Sequence, residues 1–220
     1  MSLTIDGVGH DPADVTPEQL GQWQAECMAA WPTGRYSTIL VDPCWQFKGN
    51  TPSLQGCPKY PVMSLDELKA LPVGELADPR CSVLYMWACS PLLDQAIQLG
   101  QHWGFRYVTV AHCWVKTTAA GRPVMACGRW QRPSTELLLV FVKGKGHMAL
   151  KRSCSTRQLV FAQRGRHSEK PREIRQLLTE FMDAPRGRLE MFSREQQPVP
   201  GWDMHGLEVP GYFMPAAGGE

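Results

Sequence analysis

The chain has 220 residues, of which 43% are hydrophobic and 20% charged, and its formal net charge is +2. This length and apolar content suffice for one domain with its own core. No apolar run approaches the length of a membrane-spanning helix, and the N-terminus lacks the basic start and apolar stretch of a signal peptide. We therefore expect a soluble, cytoplasmic protein.

Eight cysteines are spread along the chain without any C-x-x-C spacing, and several lie inside apolar, strand-like runs. This pattern favours buried, reduced thiols over disulfides or a zinc site. We therefore expect no bound metal.

The predicted elements alternate between helices and strands. Capping boxes at Thr16-Pro17-Glu18-Gln19 and at Ser64-Leu65-Asp66-Glu67 begin helices that run to about residues 30 and 71. Between them, residues 46–61 are rich in Gly, Pro, Asn and Ser and predict a long loop. The other predicted elements are strands at 36–41, 81–88, 106–115, 136–143, 159–162 and 188–192, and helices at 90–103 and 171–182. This order predicts an α/β fold with a mainly parallel sheet flanked by helices.

The stretch Y-S-T-I-L-V-D-P-C-W at 36–45 is the most informative one, because a buried strand ends there at an acidic residue. Open α/β sheets bind ligands beyond the carboxyl ends of their strands. The Asp42 carboxylate and the Pro43 carbonyl are adjacent acceptors that match an exocyclic amine, and Trp45 offers a stacking face. The candidate catalytic residues are Asp42, Pro43, Cys44 and Trp45. By themselves they are equally typical of a strand end with a core tryptophan.

One stretch in the second half of the chain carries charge of a single sign. No acidic residue occurs from Leu137 to Ser168, and seven basic residues do. Such charge fits a phosphate backbone, although a solvated loop face is the alternative. The candidate substrate contacts in this stretch are Lys151, Arg152 and Arg157. A second basic and aromatic cluster lies in the preceding Gly-rich loop and comprises Arg122, Arg129, Trp130 and Arg132.

An ordered series of motifs covers residues 36–209. It consists of D-P-C-W at 42–45, Y-P-V-M-S at 60–64, L-Y-M-W at 84–87, W-G-F-R-Y at 103–107, W-V-K-T at 114–117, T-E-L-L-L-V-F-V-K-G at 135–144, H-S-E-K-P at 167–171, L-E-M-F-S-R at 189–194 and G-W-D-M-H-G-L-E at 201–208. This series resembles the MT-A70 family of adenine-N6 methyltransferases, which includes the catalytic subunit of the eukaryotic messenger-RNA methyladenosine writer and bacterial and phage relatives.

The resemblance implies a single-domain, Rossmann-like methyltransferase fold in which the catalytic strand precedes the cofactor strand. Residues 1–35 would then be a helical extension packed on the domain, 36–209 the methyltransferase domain and 210–220 a tail. The implied cofactor is S-adenosylmethionine, although no G-x-G-x-x-G loop is present. The implied cofactor contacts are Asp42, Lys170, Glu190, Phe192, Arg194, Gln196, Gln197 and Glu208.

On the substrate side, the resemblance implies that Glu136 lies near the target base and that Tyr60 belongs to a gating loop. Three departures from the family pattern are present. Cys44 replaces the second proline of D-P-P-W, and Leu207 stands where relatives commonly carry an asparagine. Gln196 and Gln197 stand where the messenger-RNA enzyme has His-Asn.

The function implied is direct transfer of a methyl group from S-adenosylmethionine to the N6 amine of adenine in nucleic acid, with DNA preferred over RNA by analogy with small bacterial and phage relatives. Asp42 and the Pro43 carbonyl would hold the amine hydrogens. An RNA adenine methyltransferase, a catalytically silent nucleic-acid-binding subunit of the same fold and an α/β enzyme acting on a small amine-bearing nucleotide remain open. We expect a monomer, a homodimer or a complex with a heteromeric partner.

Overall fold

A computed structural model describes residues 3–5, 8–10, 16–46, 62–126, 128, 130–165 and 168–216. Its elements are, in chain order, β1 (Leu3–Ile5), β2 (Val8–His10), α1 (Pro17–Ala29), β3 (Thr38–Val41), α2 (Leu65–Ala70), β4 (Cys81–Ala88), α3 (Leu93–His102), β5 (Arg106–Thr117), β6 (Thr135–Gly144), β7 (Leu159–Gln163), α4 (Arg172–Phe181), β8 (Arg188–Met191), β9 (Asp203–His205) and β10 (Phe213–Met214). None of the helices in this described part of the chain is long and apolar enough to span a bilayer.

The central sheet has the strand order β10-β9-β8-β3-β4-β6-β5-β7. Strand β3 pairs in parallel with β4 and β8, β8 pairs in parallel with β9, and β5 with β7. Two strands of this sheet run in the opposite direction. Strand β6 is antiparallel to β4 and β5, and β10 is antiparallel to β9. The mostly parallel, helix-flanked sheet confirms the predicted α/β, Rossmann-like fold class.

Strand β3 lies at the centre of the sheet, and all four of its residues are buried. A strand covered on both faces needs the continuous apolar run that its sequence shows. On one face of the sheet, α2 and α3 pack through Leu68 and Leu99. A Cβ at Gly100 would come within 2.4 Å of the Phe141 ring, so α3 approaches the sheet closely. On the other face, α4 packs through Ile174 and Leu178.

Both predicted capping boxes are confirmed. The side chain of Thr16 accepts a hydrogen bond from Gln19 N–H, and Gln19 reaches back to the Thr16 N–H. Ser64 and Glu67 form the same reciprocal pair at the start of α2. The predicted helix start at Ser90 is wrong by three residues, because Ser90–Leu92 forms a 3-10 turn before α3. The predicted loop lies mostly at 47–61, outside the described residues.

Four short strands were not predicted. Strands β1 and β2 pair with each other in a small antiparallel sheet. Strands β9 and β10 extend the main sheet beyond β8 and have three and two residues. Such lengths carry no measurable period-2 pattern, so these strands depend on pairing with neighbours for their existence. Because β10 lies at 213–214, the sheet continues into the segment predicted to be a tail.

Helix α1 packs on this added edge of the sheet. The His205 Nε2 of β9 lies 3.0 Å from the Cys27 carbonyl oxygen and 3.6 Å from Cys27 Sγ. The Trp31 ring meets the His205 imidazole edge-on at a centroid distance of 5.1 Å. Tyr212 Oη donates a hydrogen bond to Glu26 Oε2 at 2.7 Å. The helix is therefore attached through polar contacts to β9 and to Tyr212, the residue before β10.

Candidate active site

Four charged side chains form an alternating chain at the carboxyl edge of the parallel strands. Asp42 directly follows β3, and Lys170 Nζ donates a hydrogen bond to its Oδ2 at 2.7 Å. The same ammonium lies 3.4 Å from Glu136 Oε2, and Lys116 Nζ donates to Glu136 Oε1 at 2.5 Å. Because β5 ends and the antiparallel β6 begins at this edge, Lys116 and Glu136 meet the residues that follow β3. Each partly buried charge thus has an opposite partner.

Burial and these partners set the protonation of the two carboxyl groups. Burial raises the pKa of Asp42 above its ordinary value, although Lys170 opposes the shift. Burial also acts to raise the pKa of Glu136, but Lys170 and Lys116 outweigh it, and that pKa is lowered. Lys170 Nζ lies 5.8 Å from the centre of the Trp87 ring, which is a cation–π contact. Asp42 therefore takes up a proton more readily than an exposed aspartate, whereas Glu136 stays ionised.

Pro43, Cys44 and Trp45 form a tight turn after Asp42. Trp45 N–H donates to the Pro43 carbonyl at 2.9 Å, and Met63 N–H donates to the Cys44 carbonyl at 2.8 Å. These backbone bonds turn the Trp45 ring into the core, where it is buried. Trp45 is therefore a core residue, which was the alternative interpretation of the sequence. Its ring does not offer the expected stacking face at the edge of the sheet. Burial raises the pKa of the Cys44 thiol to about 12, so this thiol is protonated at neutral pH.

A second charged group lies beside the first, at the end of β8. Arg175 of α4 places its Nε 2.7 Å from Glu190 Oε2, and its Nη2 donates to Glu195 Oε1 at 2.8 Å. Burial raises the pKa of Glu190 to about 7, a shift that Arg175 opposes and that Glu195 and Asp42 reinforce. Glu190 therefore titrates near neutral pH, which is unusual for a glutamate.

The chain after β8 turns back sharply against β9. Phe192 has a φ of 60°, in the left-handed region that non-glycine residues rarely adopt. A Cβ at Gly206 would come within 2.4 Å of the Ser193 carbonyl oxygen, so the two segments touch backbone to backbone. Arg194 Nε then lies 2.6 Å from Glu208 Oε1. The predicted cofactor residues on these segments are thus brought together although their sequence positions differ by more than ten.

Residues of the two charged groups line adjoining cavities. A small cavity of about 60 Å³ is bounded by Asp42, Trp87, Lys170, Glu190 and Phe192 among others. An adjoining cleft of about 680 Å³ shares Arg172, Arg175, Arg194 and Glu195 with that cavity and continues past Gln196 and Gln197. The cleft volume falls within the range of roughly 300–1,000 Å³ typical of ligand pockets. Gln196 Nε2 donates to the Glu208 carbonyl, so its amide helps to close one side.

The lining residues fit the chemistry of S-adenosylmethionine. Lys170 offers an ammonium for a carboxylate, and the Asp42 and Glu190 carboxylates suit a positive centre and hydroxyl donors. Glu190 Oε2 is buried and makes no well-aligned hydrogen bond within the described part of the protein, although it is ion-paired with Arg175.

The predicted substrate contacts do not all lie near this edge. Lys151 forms a β-bridge with Met182 just beyond the C-terminus of α4, and Arg152 Nε is ion-paired with Asp183 Oδ1 at 2.6 Å. Lys170, by contrast, precedes the N-terminus of α4. The helix spans ten residues, which at 1.5 Å per residue is about 15 Å. The two predicted contacts are thus about one helix length from Asp42. Arg157 is exposed just before β7.

A different set of basic residues lies at the carboxyl edge. The β5–β6 connection runs there and contains the exposed Arg122 and Arg132, with Trp130 93% exposed. Arg164 is exposed too, and its N–H donates to the carbonyl of Thr117, the last residue of β5. Tyr60 and Arg129 lie outside the described residues. The edge that holds Asp42 therefore also carries exposed arginines and an exposed aromatic ring.

Sequence reasoning missed Lys116, Trp87 and Arg175 as site residues. Lys116 and Trp87 fall inside motifs quoted above, W-V-K-T and L-Y-M-W, so membership of those motifs was an available signal. Arg175 lies outside every quoted motif. Its signal is helical spacing, because it is three residues before the buried Leu178 and so borders the buried face of α4.

The six cysteines in the described ranges are free thiols. Over the same ranges, no group of three or more histidine, cysteine, aspartate or glutamate side chains is arranged to hold a metal ion.

A mostly parallel sheet with an acidic residue after its central strand, beside a cleft lined by lysine, carboxylate and amide groups, defines a methyltransferase of the Rossmann-like class. The chain belongs to the MT-A70 family, whose model matches residues 36–208. The chain is also 33% identical over 198 residues to the Type II methyltransferase M.MunI of Mycoplasma sp., with 81% of this chain and 80% of that protein covered. These matches confirm the resemblance seen in the motifs.

Proposed function

We propose that this methyltransferase transfers a methyl group from S-adenosylmethionine to the N6 amine of adenine in nucleic acid, with DNA preferred over RNA. The observation that carries the proposal is the position of Asp42 at the carboxyl edge, bonded to Lys170 and bordering the same cavity as Glu190. The similarity to a Type II methyltransferase supports the choice of DNA.

The cofactor would be held by residues of both charged groups. Lys170 would pair with its carboxylate and Glu190 with its ribose hydroxyls, and Phe192, Arg194, Gln196, Gln197 and Glu208 would complete the pocket. When bound, the cofactor supplies a methyl group already activated by a sulfonium, so the protein needs to position and stabilise rather than to activate. Two carboxylates in one cavity suit a ligand that carries positive charge.

Asp42 and Pro43 would hold the substrate amine. The Pro43 carbonyl already accepts the Trp45 N–H at 2.9 Å, which fixes its direction and leaves a second lone pair for an amine hydrogen. Asp42 accepts the other hydrogen, so the nitrogen lone pair faces the cofactor. As the N–C bond forms and the C–S bond breaks, positive charge develops on the amine. Asp42, whose pKa burial raises, or solvent then accepts the released proton.

Lys170 and Glu136 would keep Asp42 in place. The Lys170 ammonium bridges the two carboxylates, and Lys116 holds the far side of Glu136. These ion pairs restrain the rotation of the Asp42 side chain and leave its carboxylate charged. The exposed arginines at the same edge and Trp130 would contact the phosphates and bases that flank the target adenine.

The experiment that tests this function is a transfer assay with labelled S-adenosylmethionine and three substrates of matched adenine content, namely a DNA oligonucleotide, an RNA of the same sequence and free adenosine. Mass spectrometry of the digested nucleosides identifies the product. We expect N6-methyladenine in DNA. Product only in RNA would reassign the substrate, and product only from adenosine would indicate a small-nucleotide enzyme. Cofactor binding with no product in any sample would indicate a silent subunit.

A further inference from the structure

Arg175 connects two acidic residues from separate segments. It lies on α4, whereas Glu190 lies on β8 and Glu195 on the connection that follows. Its Nε is 2.7 Å from Glu190 Oε2 and its Nη2 is 2.8 Å from Glu195 Oε1. The exposed fractions of these side chains are 14%, 16% and 20%. A planar guanidinium that reaches two carboxylates at once fixes both directions, which a single lysine ammonium does less well.

The groups that face Glu190 come from several elements. Glu195 and Arg194 approach from the segment after β8, Asp42 from the end of β3, Lys170 from the residues before α4, and Arg175 from α4 itself. Lys170 is engaged by Asp42 and Glu136, and Arg194 by Glu208. Glu190 is ion-paired with Arg175.

Without Arg175, the forces on Glu190 favour the neutral acid more strongly. Burial and the nearby Asp42 and Glu195 carboxylates all favour the neutral acid, and Arg175 is the main opposing group. A protonated Glu190 would turn one of its two acceptor oxygens into a donor and would lose its fixed direction.

We propose that Arg175 is a positioning residue that holds Glu190 as an oriented carboxylate on the wall of the cofactor cavity. The proposal rests on the proposed function, since Glu190 is there the acceptor for the ribose hydroxyls. It adds a residue outside all the quoted motifs and predicts that cofactor binding depends on pH through one ion pair.

Calorimetry with S-adenosylhomocysteine from pH 5.5 to 9 tests the proposal. The wild-type affinity should fall as pH drops through about 7, where Glu190 titrates. In Arg175→Met the midpoint should move up by about one unit, so that affinity at pH 7 falls roughly fivefold and recovers towards pH 9. Arg175→Lys should lie between the two. In Glu190→Gln the pH dependence should be lost.

The matched control is Arg152→Met. Arg152 lies beyond the other end of α4, is 51% exposed and is ion-paired with Asp183, so its loss should leave the pH midpoint unchanged. A purely structural role for Arg175 predicts a uniform loss of affinity with the wild-type pH midpoint, and that result would overturn the proposal.

Thermal unfolding gives a readout that needs no ligand. The pKa of Glu190 is higher in the folded protein than in the unfolded chain. The stabilisation that this group gives the folded state is therefore lost as pH rises through the folded pKa. Removal of Arg175 raises the folded pKa further. The difference in Tm between wild type and Arg175→Met should therefore grow from pH 5 to pH 8, and a constant difference would contradict the role of Arg175.

If the wild type binds no S-adenosylhomocysteine, the proposed function fails, and the Tm comparison still decides whether Arg175 controls the charge of Glu190.

Discussion

At the scale of single residues, Asp42 carries the proposed chemistry, and its surroundings separate it from an ordinary surface carboxylate. Lys170 donates to it at 2.7 Å, and burial raises its pKa. An acceptor oriented in this way acts on the substrate amine more than on the cofactor. Loss of the side chain should therefore affect turnover and binding very differently.

We expect Asp42→Ala to lower turnover by at least tenfold, or about 1.4 kcal/mol in the transition state. S-adenosylhomocysteine affinity should stay within a few-fold, because Lys170 keeps Glu136 as a partner. Steady-state kinetics and calorimetry measure the two effects. Asp66→Ala is the control, since that carboxylate is 96% exposed at the start of α2. Retention of more than a tenth of wild-type turnover would remove Asp42 from the catalytic role.

The Cys44 thiol should be dispensable. It is half-buried, and its pKa of about 12 leaves it protonated at neutral pH, and amine methylation needs no thiol nucleophile. Cys44→Ser and Cys44→Pro should both keep turnover within a few-fold of wild type. Complete inactivity of the serine variant, with an unchanged circular dichroism spectrum, would show that the thiol has a chemical role.

At the scale of elements, α1 is attached to the sheet through a buried histidine on β9. Burial lowers the pKa of His205, and its hydrogen bond with the Cys27 carbonyl opposes that shift only in part. The folded state therefore binds a proton less readily than the unfolded state. As pH falls below the unfolded value of about 6.5, the unfolded state gains protons first and stability is lost.

We expect the free energy of unfolding to decline from pH 7 to pH 5, with His205 contributing up to about 1.4 kcal/mol per pH unit. His205→Gln keeps a donor for the Cys27 carbonyl but removes the titration, so its decline should be shallower. His102→Gln is the control, because His102 is exposed at the end of α3. Chemical denaturation at each pH measures the slopes. Identical slopes in wild type and His205→Gln would mean that other groups cause the acid sensitivity.

At the scale of the whole molecule, the basic residues divide between the two ends of the sheet. Lys151 and Arg152 lie at the C-terminal end of α4, where Arg152 is paired with Asp183. The β5–β6 connection and the end of β7 place the other arginines at the edge that holds Asp42. A nucleic acid whose adenine reaches Asp42 would therefore contact these arginines rather than Lys151 and Arg152.

Salt dependence of oligonucleotide binding distinguishes the two sets. Neutralising Arg122, Arg132 and Arg164 together should flatten the slope of log affinity against log salt by about two to three units. The double variant Lys151→Gln, Arg152→Gln should leave the slope close to wild type. The opposite result would mean that the phosphate path runs along α4 to its C-terminus. Fluorescence anisotropy at several salt concentrations provides both slopes.

The sequence by itself determined the features that depend on neighbouring residues. The apolar run of β3, the two capping boxes and the acidic residue at the strand end were all readable, because capping bonds and strand burial involve residues only a few positions apart. The order of the motifs indicated the family, and with it Lys170 and Glu190.

Only the tertiary structure decided which of these residues meet. Lys170 and Asp42 are 128 positions apart, and their contact depends on the strand order and on the antiparallel course of β6. The same long-range packing buries Trp45, pairs Arg175 with Glu190 and separates Lys151 and Arg152 from the site by the length of α4. Local sequence patterns carry no information about such contacts. The pattern of a helix or strand indicates which face is buried but not which element covers that face.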